Sequence, residues 1–383
     1  MNKFKKISAL LLAALMIITA AGCGAKPSWS YKTDNVSFSE GVYIYSLYSA
    51  YDQAYAILQE NLGDEFDATA SILDITSDFD GNGEKVLCSD WIETQADIIT
   101  KNLAALDEAI LDLGITLDKT QIESSRELAK EEWHLGPYYE YYVASGYEPV
   151  PREDLLSPFG ISFDSFFTST YLASLKQNAI FDQLYIKDSK TAVTDEELTK
   201  YFTDNYTSYA YFVVNLYETG IDTETSQQVY YPYSDELIKE VEKELSEYTK
   251  LINSGTAYTE IRNKYMKAHN ITTDPTVKNI EILDNSALGE EVLKAVKELK
   301  EGKATYLKVG DGDTAVMYFV TKFDIKSEAE EYLSTDGNRH TLVQNLKFED
   351  FSDYLKDITD NVKVEINEDV IAKYTPATFE ENL

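Results

Sequence analysis

The sequence predicts an α+β protein in which mainly helical segments enclose a smaller mixed unit. Three observations predict this fold class. Apolar residues recur at helical spacing before residue 190, the first strongly β-prone run comes only at residues 209–217, and a helical tail follows the last strands. Helices on both sides of a strand-containing middle segment indicate an α+β insert between helical segments that pack together.

Helical periodicity is clearest between residues 91 and 114. Apolar residues there alternate at spacings of four and three, at Ile92, Ala96, Ile99, Leu103, Leu106, Ile110 and Leu113. This spacing places them on one helix face. Gly114 is expected to end the helix, and Asp118 with Gln121 to cap the next one. The capping-box pattern occurs three more times, at Ser37–Glu40, Thr194–Glu197 and Ser327–Glu330.

The middle of the chain predicts the element order β-α-α-β-α-β-β. The strands are expected in 209–217, 277–283, 304–310 and 314–323, and the helices in 235–255, 258–266 and 288–302. Residues 218–228 are polar and predict a loop. Residues 362–367, VKVEIN, predict a short extended segment after the helical tail.

The N-terminus carries a secretory signal pattern. MNKFKK is basic, residues 7–20 are apolar, and small residues precede Cys23. This ending resembles the bacterial lipobox, which implies a signal peptide over 1–22 and a diacylglyceryl group on Cys23. The protein would then be lipid-anchored to the cell membrane on its extracytoplasmic face, with 23–36 as a polar tether. Plain secretion with cleavage elsewhere is the alternative.

Charge and cysteine count exclude several function classes. The formal net charge of −33 argues against nucleic-acid partners, which require basic surface. Cys88 is the only cysteine besides Cys23, so an intramolecular disulfide of the mature chain is excluded. A catalytic thiol needs a histidine partner, and the chain has only three scattered histidines. Cys88 is therefore expected to be a buried, unreactive thiol.

Metal and cofactor sites are not predicted. Residues 78–89, DFDGNGEKVLCS, imitate the first half of a calcium-binding loop, but Ser89 stands where the bidentate glutamate belongs. A polar turn is the favoured interpretation. The scattered histidines predict no zinc site, and no glycine-rich phosphate loop is present. We expect no cofactor.

The segment GTAYTEIRNKYM, residues 255–266, resembles the parvulin signature. Gly255 would end one helix, and Tyr258, Ile261 and Tyr265 would pack the next helix under a sheet. Residues 288–322 are similar to the parvulin order of helix, turn and two strands, and the flanking helical segments look like those of SurA-type and PrsA-type foldases. The resemblance implies a four-stranded antiparallel sheet with helices and a foldase or chaperone function. An unrelated helix-turn-helix corner is the alternative.

The parvulin catalytic pattern is degenerate in this sequence. Parvulin isomerases carry histidines in the first and last strands, where this chain has Val213 and Met317, with Asn215 as the nearest polar residue. Leu288 and Val292 correspond to the family's apolar pocket residues. Without the histidines, few groups remain that could bind the twisted amide better than the planar one, so we assign no catalytic residue. A divergent active peptidyl-prolyl isomerase is the alternative.

Aromatic residues cluster in two helical-domain segments. They are Tyr138, Tyr139, Tyr141, Tyr142, Phe163, Phe166 and Phe167. Such side chains either fill the core, which is the favoured prediction for most of them, or bind unfolded client segments. The client hypothesis gives unfolded or partly folded secreted polypeptides as partners.

These patterns predict five segments. They are a signal peptide at 1–22, a lipidated tether at 23–36, a helical chaperone-like domain at 37–200, a parvulin-like domain at 201–325, and a C-terminal helix and strand at 326–383 that pack back on the helical domain. The favoured function is an extracytoplasmic foldase-like lipoprotein. A solute-binding lipoprotein is a further alternative, but it requires repeated βα units with parallel strands, which the sequence does not show.

Overall fold

The described part of the chain divides into two units, residues 28–192 with 347–380, and residues 193–346. The computed structural model describes residues 28–187, 190–223 and 225–380. The predicted signal peptide and Cys23 lie outside the described residues. Within these ranges no helix combines the length and the apolar character that a membrane span needs.

The first part of the chain is mainly helical, as the sequence predicts. Its strands are short: β1 (Trp29–Lys32), β2 (Ser37–Ser39), β3 (Thr76–Ser77) and β4 (Val86–Leu87). Its helices are α1 (Glu40–Leu62), α2 (Cys88–Asp112), α3 (Lys119–Leu135), α4 (Tyr139–Ala144), α5 (Arg152–Leu156), α6 (Phe163–Phe167) and α7 (Ala173–Tyr185). A π-helical turn, Thr168–Leu172, joins α6 to α7, so residues 163–185 form one interrupted helix.

The core of the first unit is built around α1 and α2. The predicted apolar face of α2 is confirmed, since Ile92, Ala96 and Leu106 are fully buried. They belong to one core cluster with Leu47 and Leu58 of α1. Burial of two such faces against each other is the main stabilising contribution to a helix pair of this kind.

Two predicted caps are confirmed and two are wrong. The Asp118 side chain accepts hydrogen bonds from the first turn of α3, and Thr194 with Glu197 forms a full capping box. Ser37 instead lies in strand β2, whose pairing with β1 keeps the backbone extended up to Ser39. The helix near Ser327 begins earlier, with Asp324 as its cap.

The predicted polar tether contains a strand that the sequence analysis missed. β1 lies between β2 and a C-terminal strand, β11 (Glu365–Ile366), in an antiparallel sheet. Tyr31 is 2% exposed, and its hydroxyl donates to a carboxylate oxygen of Asp97 at 2.8 Å. Residues 29–32 therefore belong to the folded unit, because the buried ring of Tyr31 outweighs the polar character of the segment.

The second unit contains the predicted β-α-α-β-α-β-β order. After α8 (Asp195–Asn205), its strands are β5 (Thr207–Asn215), β6 (Tyr217–Ile221), β7 (Gln228–Pro232), β8 (Val277–Glu281), β9 (Lys303–Val309) and β10 (Val316–Lys322). Its helices are α9 (Asp235–Asn253), α10 (Tyr258–Ala268), α11 (Glu290–Glu298) and α12 (Ile325–Leu333). The main sheet has the order β8-β5-β10-β9, and each pairing is antiparallel. This is the four-stranded antiparallel sheet with helices that the parvulin resemblance implies.

The helix corner at Gly255 packs as predicted. Gly255 has a φ of +109°, which only glycine adopts without strain, and it lies between α9 and α10. Tyr258, Ile261 and Tyr265 of α10 are all buried. The Tyr265 ring stacks on Phe212 of β5 with centroids 4.4 Å apart, so the helix pair covers one face of the sheet.

The predicted polar loop at 218–228 is wrong. β6 and β7 form an antiparallel hairpin there, and the rings of Tyr217 and Tyr230 meet edge to face with centroids 5.2 Å apart. The absence of a side chain at Gly220 leaves room for the Tyr231 ring, because a Cβ at this position would lie 2.7 Å from that ring. Cross-strand aromatic pairs stabilise the hairpin although its turn is polar.

The returning C-terminal helix is α13 (Asp336–Asn361). Its last part belongs to the first unit, where Phe351 meets Phe181 edge to face with centroids 5.2 Å apart. Asn102 donates to the Thr359 hydroxyl at 3.0 Å. The extended segment predicted at 362–367 contains β11, and α14 (Glu368–Ile371) and α15 (Ala377–Glu380) follow.

Candidate functional site

The sheet face under α11 is where the resemblance places an isomerase pocket. Val213 of β5 lies opposite Tyr318 of β10, and Tyr211 lies opposite Val320, so these side chains share one face. Val292 of α11 is buried in an apolar cluster that includes Val320. The described part of this face is thus lined by aromatic and aliphatic side chains at the central strands.

The structure does not bring the five predicted pocket residues together. Val292 and Leu288 pack in the cluster under α11, and Val213 lies on the sheet face that carries it. Met317 is 1% exposed on the opposite face, in the core that the helix pair covers, because strand alternation sends it away from Tyr318. Asn215 is exposed at the end of β5.

A polar cluster that the sequence analysis missed lies at the β8 side of this face. The Tyr209 hydroxyl donates to Glu281 Oε1 at 2.5 Å, and the Ser286 hydroxyl donates to the same oxygen at 2.6 Å. Asn279 Nδ2 donates to the Tyr209 oxygen at 2.9 Å. Burial, and then the bond to Glu281, raises the pKa of Tyr209 to about 12. Tyr209 is fully buried, so the cluster ties β8 to β5 and offers no exposed acid or base.

His269 does not belong to the face under α11. Its Nε2 lies 2.9 Å from a carboxylate oxygen of Glu244, and its ring packs on Tyr265 with centroids 4.6 Å apart. Tyr265 is part of the core on the helix-pair side of the sheet. His269 therefore joins the end of α10 to α9.

The first unit carries an exposed apolar surface that we call the tyrosine patch. Its members, all at least 37% exposed, are Leu128, Leu135, Tyr138, Tyr139, Tyr141, Tyr142, Val143, Tyr147 and Val150. Two shallow cavities, of about 410 and 760 Å³, share His134 and Leu135 in their walls, and they connect Leu128 with Tyr139, Val143 and Tyr147. Exposed apolar surface of this extent is typical of a binding site.

Backbone geometry holds the patch segment in its turn. Gly136 has a φ of +86°, and a Cβ there would lie 2.5 Å from the Val150 carbonyl oxygen, so only glycine permits this close approach. Tyr138 has a φ of +54°, which is uncommon for an aromatic residue. Its side chain is 79% exposed. The chain thus keeps a strained tyrosine on its surface, which favours a functional role.

Ionic contacts and hydrogen bonds connect the helices on either side of the patch segment. Glu132 of α3 accepts from Arg152 Nε at 2.9 Å and from the Tyr171 hydroxyl at 2.7 Å. His134 Nδ1 lies 2.9 Å from a carboxylate oxygen of Glu153. These contacts join α3 to α5 and to the π-helical turn, so the helices before and after the tyrosine segment are tied to each other.

The seven predicted client-binding aromatics divide into two groups. Tyr138, Tyr139, Tyr141 and Tyr142 are exposed, so the core prediction for most of the seven is wrong. Phe166 and Phe167 are 2% and 4% exposed, and Phe163 is half-buried. The phenylalanines pack with one another and with Trp133, which corrects their assignment to a client surface. Sequence could not separate the groups, since both are short aromatic runs.

Cys88 and the calcium-like turn have structural roles. Cys88 is fully buried, and burial raises the pKa of its thiol to about 12, so it stays protonated at neutral pH. Asp78 accepts from the backbone N–H groups of Asn82 and Gly83, and Asp80 accepts from the Trp91 indole at 2.9 Å. Residues 78–83 thus form the predicted polar turn. Across the described ranges, no group of three or more His, Cys, Asp and Glu side chains is arranged to hold a metal ion.

Fold and surface together define a two-unit α+β protein with a sheet unit and a helical unit that presents a tyrosine patch. Among solved structures it is similar to the foldase PrsA from Streptococcus pneumoniae, at 14% identity over 78% of this chain and 97% of that chain, with a TM-score of 0.33. It is also similar to PrsA from Bacillus subtilis, at 14% identity over 76% of this chain and 95% of that one, with a TM-score of 0.21. No family model and no curated protein matches the sequence.

Proposed function

We propose that this protein is a membrane-anchored, extracytoplasmic foldase-like lipoprotein that holds unfolded secreted polypeptides on the tyrosine patch. The observation that carries this proposal is the exposure of the tyrosines, with Tyr138 and Tyr141 at 79% and 69%. Tyrosine suits the task, because it offers a large apolar face and a hydroxyl that tolerates water. Such a surface binds many sequences weakly and releases them.

The rim of the patch indicates which clients it prefers. Glu131 and Glu148 line the two cavities of the patch, and Lys130, which also lines one of them, is paired with Glu127. The chain as a whole carries a net charge of −33. Opposite charge accelerates encounter, and like charge across an interface costs affinity. The favoured clients are therefore unfolded segments in which basic residues flank apolar ones.

Replacing two patch tyrosines should weaken client binding. In a Tyr138→Asn, Tyr141→Gln variant we expect the concentration for half-maximal suppression of aggregation to rise about thirtyfold, since two exposed aromatic contacts of roughly 1 kcal/mol each are lost. Light scattering of a reduced, denatured basic secreted protein measures this. The matched control is Phe348→Gln, which removes a 71% exposed aromatic side chain outside the patch. Equal suppression by all three proteins would contradict the role of the patch.

The parvulin-like unit is proposed to bind or space client segments without isomerase catalysis. The central positions of the face under α11 are Tyr211, Val213, Tyr318 and Val320, and His269 is paired with Glu244. Uncatalysed rotation about a peptide bond has a barrier of ~18–20 kcal/mol. Lowering that barrier requires groups that bind the twisted amide better than the planar one. The only polar groups of these four side chains are the hydroxyls of Tyr211 and Tyr318, and none of the four is a histidine.

Prolyl isomerisation should therefore proceed at the uncatalysed rate. The measurement is an NMR exchange assay on a short proline peptide, with protein that starts near Lys26 and with aggregation suppression run on the same sample. We expect suppression without isomerisation. A rate above background that a Val213→Asp change abolishes would instead assign catalysis to the face under α11.

Lipidation of Cys23 is the proposed membrane anchor. The acidic surface is repelled by anionic lipid headgroups, so the diacylglyceryl group would supply the attachment. In a bacterial host, the Cys23→Ala protein is expected to leave the membrane fraction almost completely, while the unchanged protein stays there. Fractionation followed by mass spectrometry of the N-terminal peptide tests this. Membrane retention of Cys23→Ala would exclude the anchor.

A further inference from the structure

A third cavity in the first unit lies apart in sequence from the tyrosine patch. It measures about 710 Å³, within the size range of small-ligand sites. Tyr48, Tyr51 and Tyr55 line it from a single face of α1, since they are spaced by three and four residues. A loop around Ser71 forms the opposite wall.

The charged groups at this cavity are all acidic. Asp52 lies next to Tyr51 on α1, and Glu380 of α15 closes the cavity from the C-terminal side. None of the described residues that line the cavity is basic. Glu380 Oε1 accepts from the Ser71 hydroxyl at 2.5 Å and from the Ile72 N–H at 3.1 Å, which holds the loop wall in place.

The tyrosine wall is rigid because its rings are packed from behind. Phe379 is fully buried and lies 5.6 Å from Tyr48 and 5.8 Å from Tyr51 between ring centroids. Tyr55 meets Phe66 edge to face at 4.9 Å. Burial and then Glu380 raise the pKa of Tyr51 to about 12, so this phenol stays neutral at pH 7.

We propose that this cavity, which we call the arginine cleft, binds an arginine side chain of a client polypeptide. A guanidinium group is planar, stacks on tyrosine rings and pairs with carboxylates, so it matches tyrosines and acids in one cavity better than a compact ammonium group does. This inference rests on the proposed function, since it names the side chain that the client would place outside the tyrosine patch. It agrees with the preference for basic clients that the acidic rim indicates.

The test uses a pair of capped pentapeptides, Gly-Ala-Arg-Ala-Gly and its twin with citrulline, which has the same shape without the charge. Neither carries a large apolar residue for the tyrosine patch. In saturation-transfer NMR titrations we expect the arginine peptide to bind about tenfold more tightly than the citrulline peptide. Asp52→Asn should remove most of this difference and leave citrulline binding unchanged. Asp52 is exposed, so the variant is expected to fold normally, which its melting temperature checks.

Aggregation suppression by the same proteins separates the two proposals. Preference for arginine in a protein that fails to suppress aggregation would keep the arginine cleft and overturn the proposed function. Suppression of aggregation with equal binding of both peptides would keep the proposed function and overturn the arginine cleft. Preference for arginine that survives both Asp52→Asn and Glu380→Gln would also overturn the cleft, since the charge recognition would lie elsewhere. The Tyr138→Asn, Tyr141→Gln variant should keep the preference.

Discussion

Replacing Phe379 with alanine is expected to lower the free energy of unfolding of the first unit by about 3–5 kcal/mol, although the residue lies near the end of the chain. Phe379 is fully buried. Its ring lies 4.9 Å from that of Phe159 and within 6 Å of Tyr48 and Tyr51, between ring centroids. Truncation to alanine leaves a cavity among three aromatic rings that cannot collapse without moving α1.

Tryptophan fluorescence during urea unfolding measures this effect selectively. The three tryptophans, Trp29, Trp91 and Trp133, all lie in the first unit. Phe379→Leu keeps most of the volume and should cost less than half as much as Phe379→Ala. Phe348→Ala is the matched control, since a side chain that is 71% exposed should change stability by no more than about 0.5 kcal/mol. Equal stability of Phe379→Ala and Phe348→Ala would show that the C-terminal segment is not part of the core.

Apolar periodicity correctly predicted which helix faces are buried. The apolar face of α2 and the trio Tyr258, Ile261 and Tyr265 are buried as their spacing indicates. These elements are amphipathic, so the spacing of their apolar residues indicates which side faces the core. The same holds for the capping box at Thr194, whose two hydrogen bonds involve residues only three apart.

Elements whose stability comes from distant partners could not be predicted. β1 pairs with β11, which lies more than 300 residues away in the chain, and its strand character depends on the buried Tyr31. The β6–β7 hairpin depends on the pairing of Tyr217 with Tyr230 across a polar turn. Short segments of this kind carry little signal of their own, because tertiary contacts decide their conformation.

The candidate site was only half predictable for the same reason. Tyr141 and Phe166 both stand in aromatic runs, and composition assigns them the same role. Phe166 is buried because Trp133 and Tyr45 pack against it. Tyr141 lies in the segment after Gly136 and stays exposed, with its ring in contact with that of Tyr142. The sequence could not predict the arginine cleft either, since Asp52 and Glu380 line the same cavity only in the folded chain.

The second large effect concerns the ion pair between Lys176 of α7 and Asp107 of α2. Lys176 Nζ lies 2.5 Å from Asp107 Oδ1, and the two side chains are only 10% and 17% exposed. Asp107→Ala should lower the free energy of unfolding by about 3–5 kcal/mol, because it leaves an ammonium group buried without its partner. The loss arises mainly from the unpaired charge and not from the absence of a favourable attraction.

A double variant separates these two causes. Replacing the pair by Asp107→Leu and Lys176→Met removes both charges and fills the space, so its stability should lie within about 1 kcal/mol of the unchanged protein or above it. Urea unfolding followed by tryptophan fluorescence gives all three values. The exposed pair of Lys356 and Asp360 on α13 is the control, and Asp360→Ala should leave the free energy of unfolding almost unchanged, because solvent screens an exposed pair. If the double variant were as unstable as Asp107→Ala, the attraction within the pair, and not the burial of a lone charge, would be what holds α7 against α2.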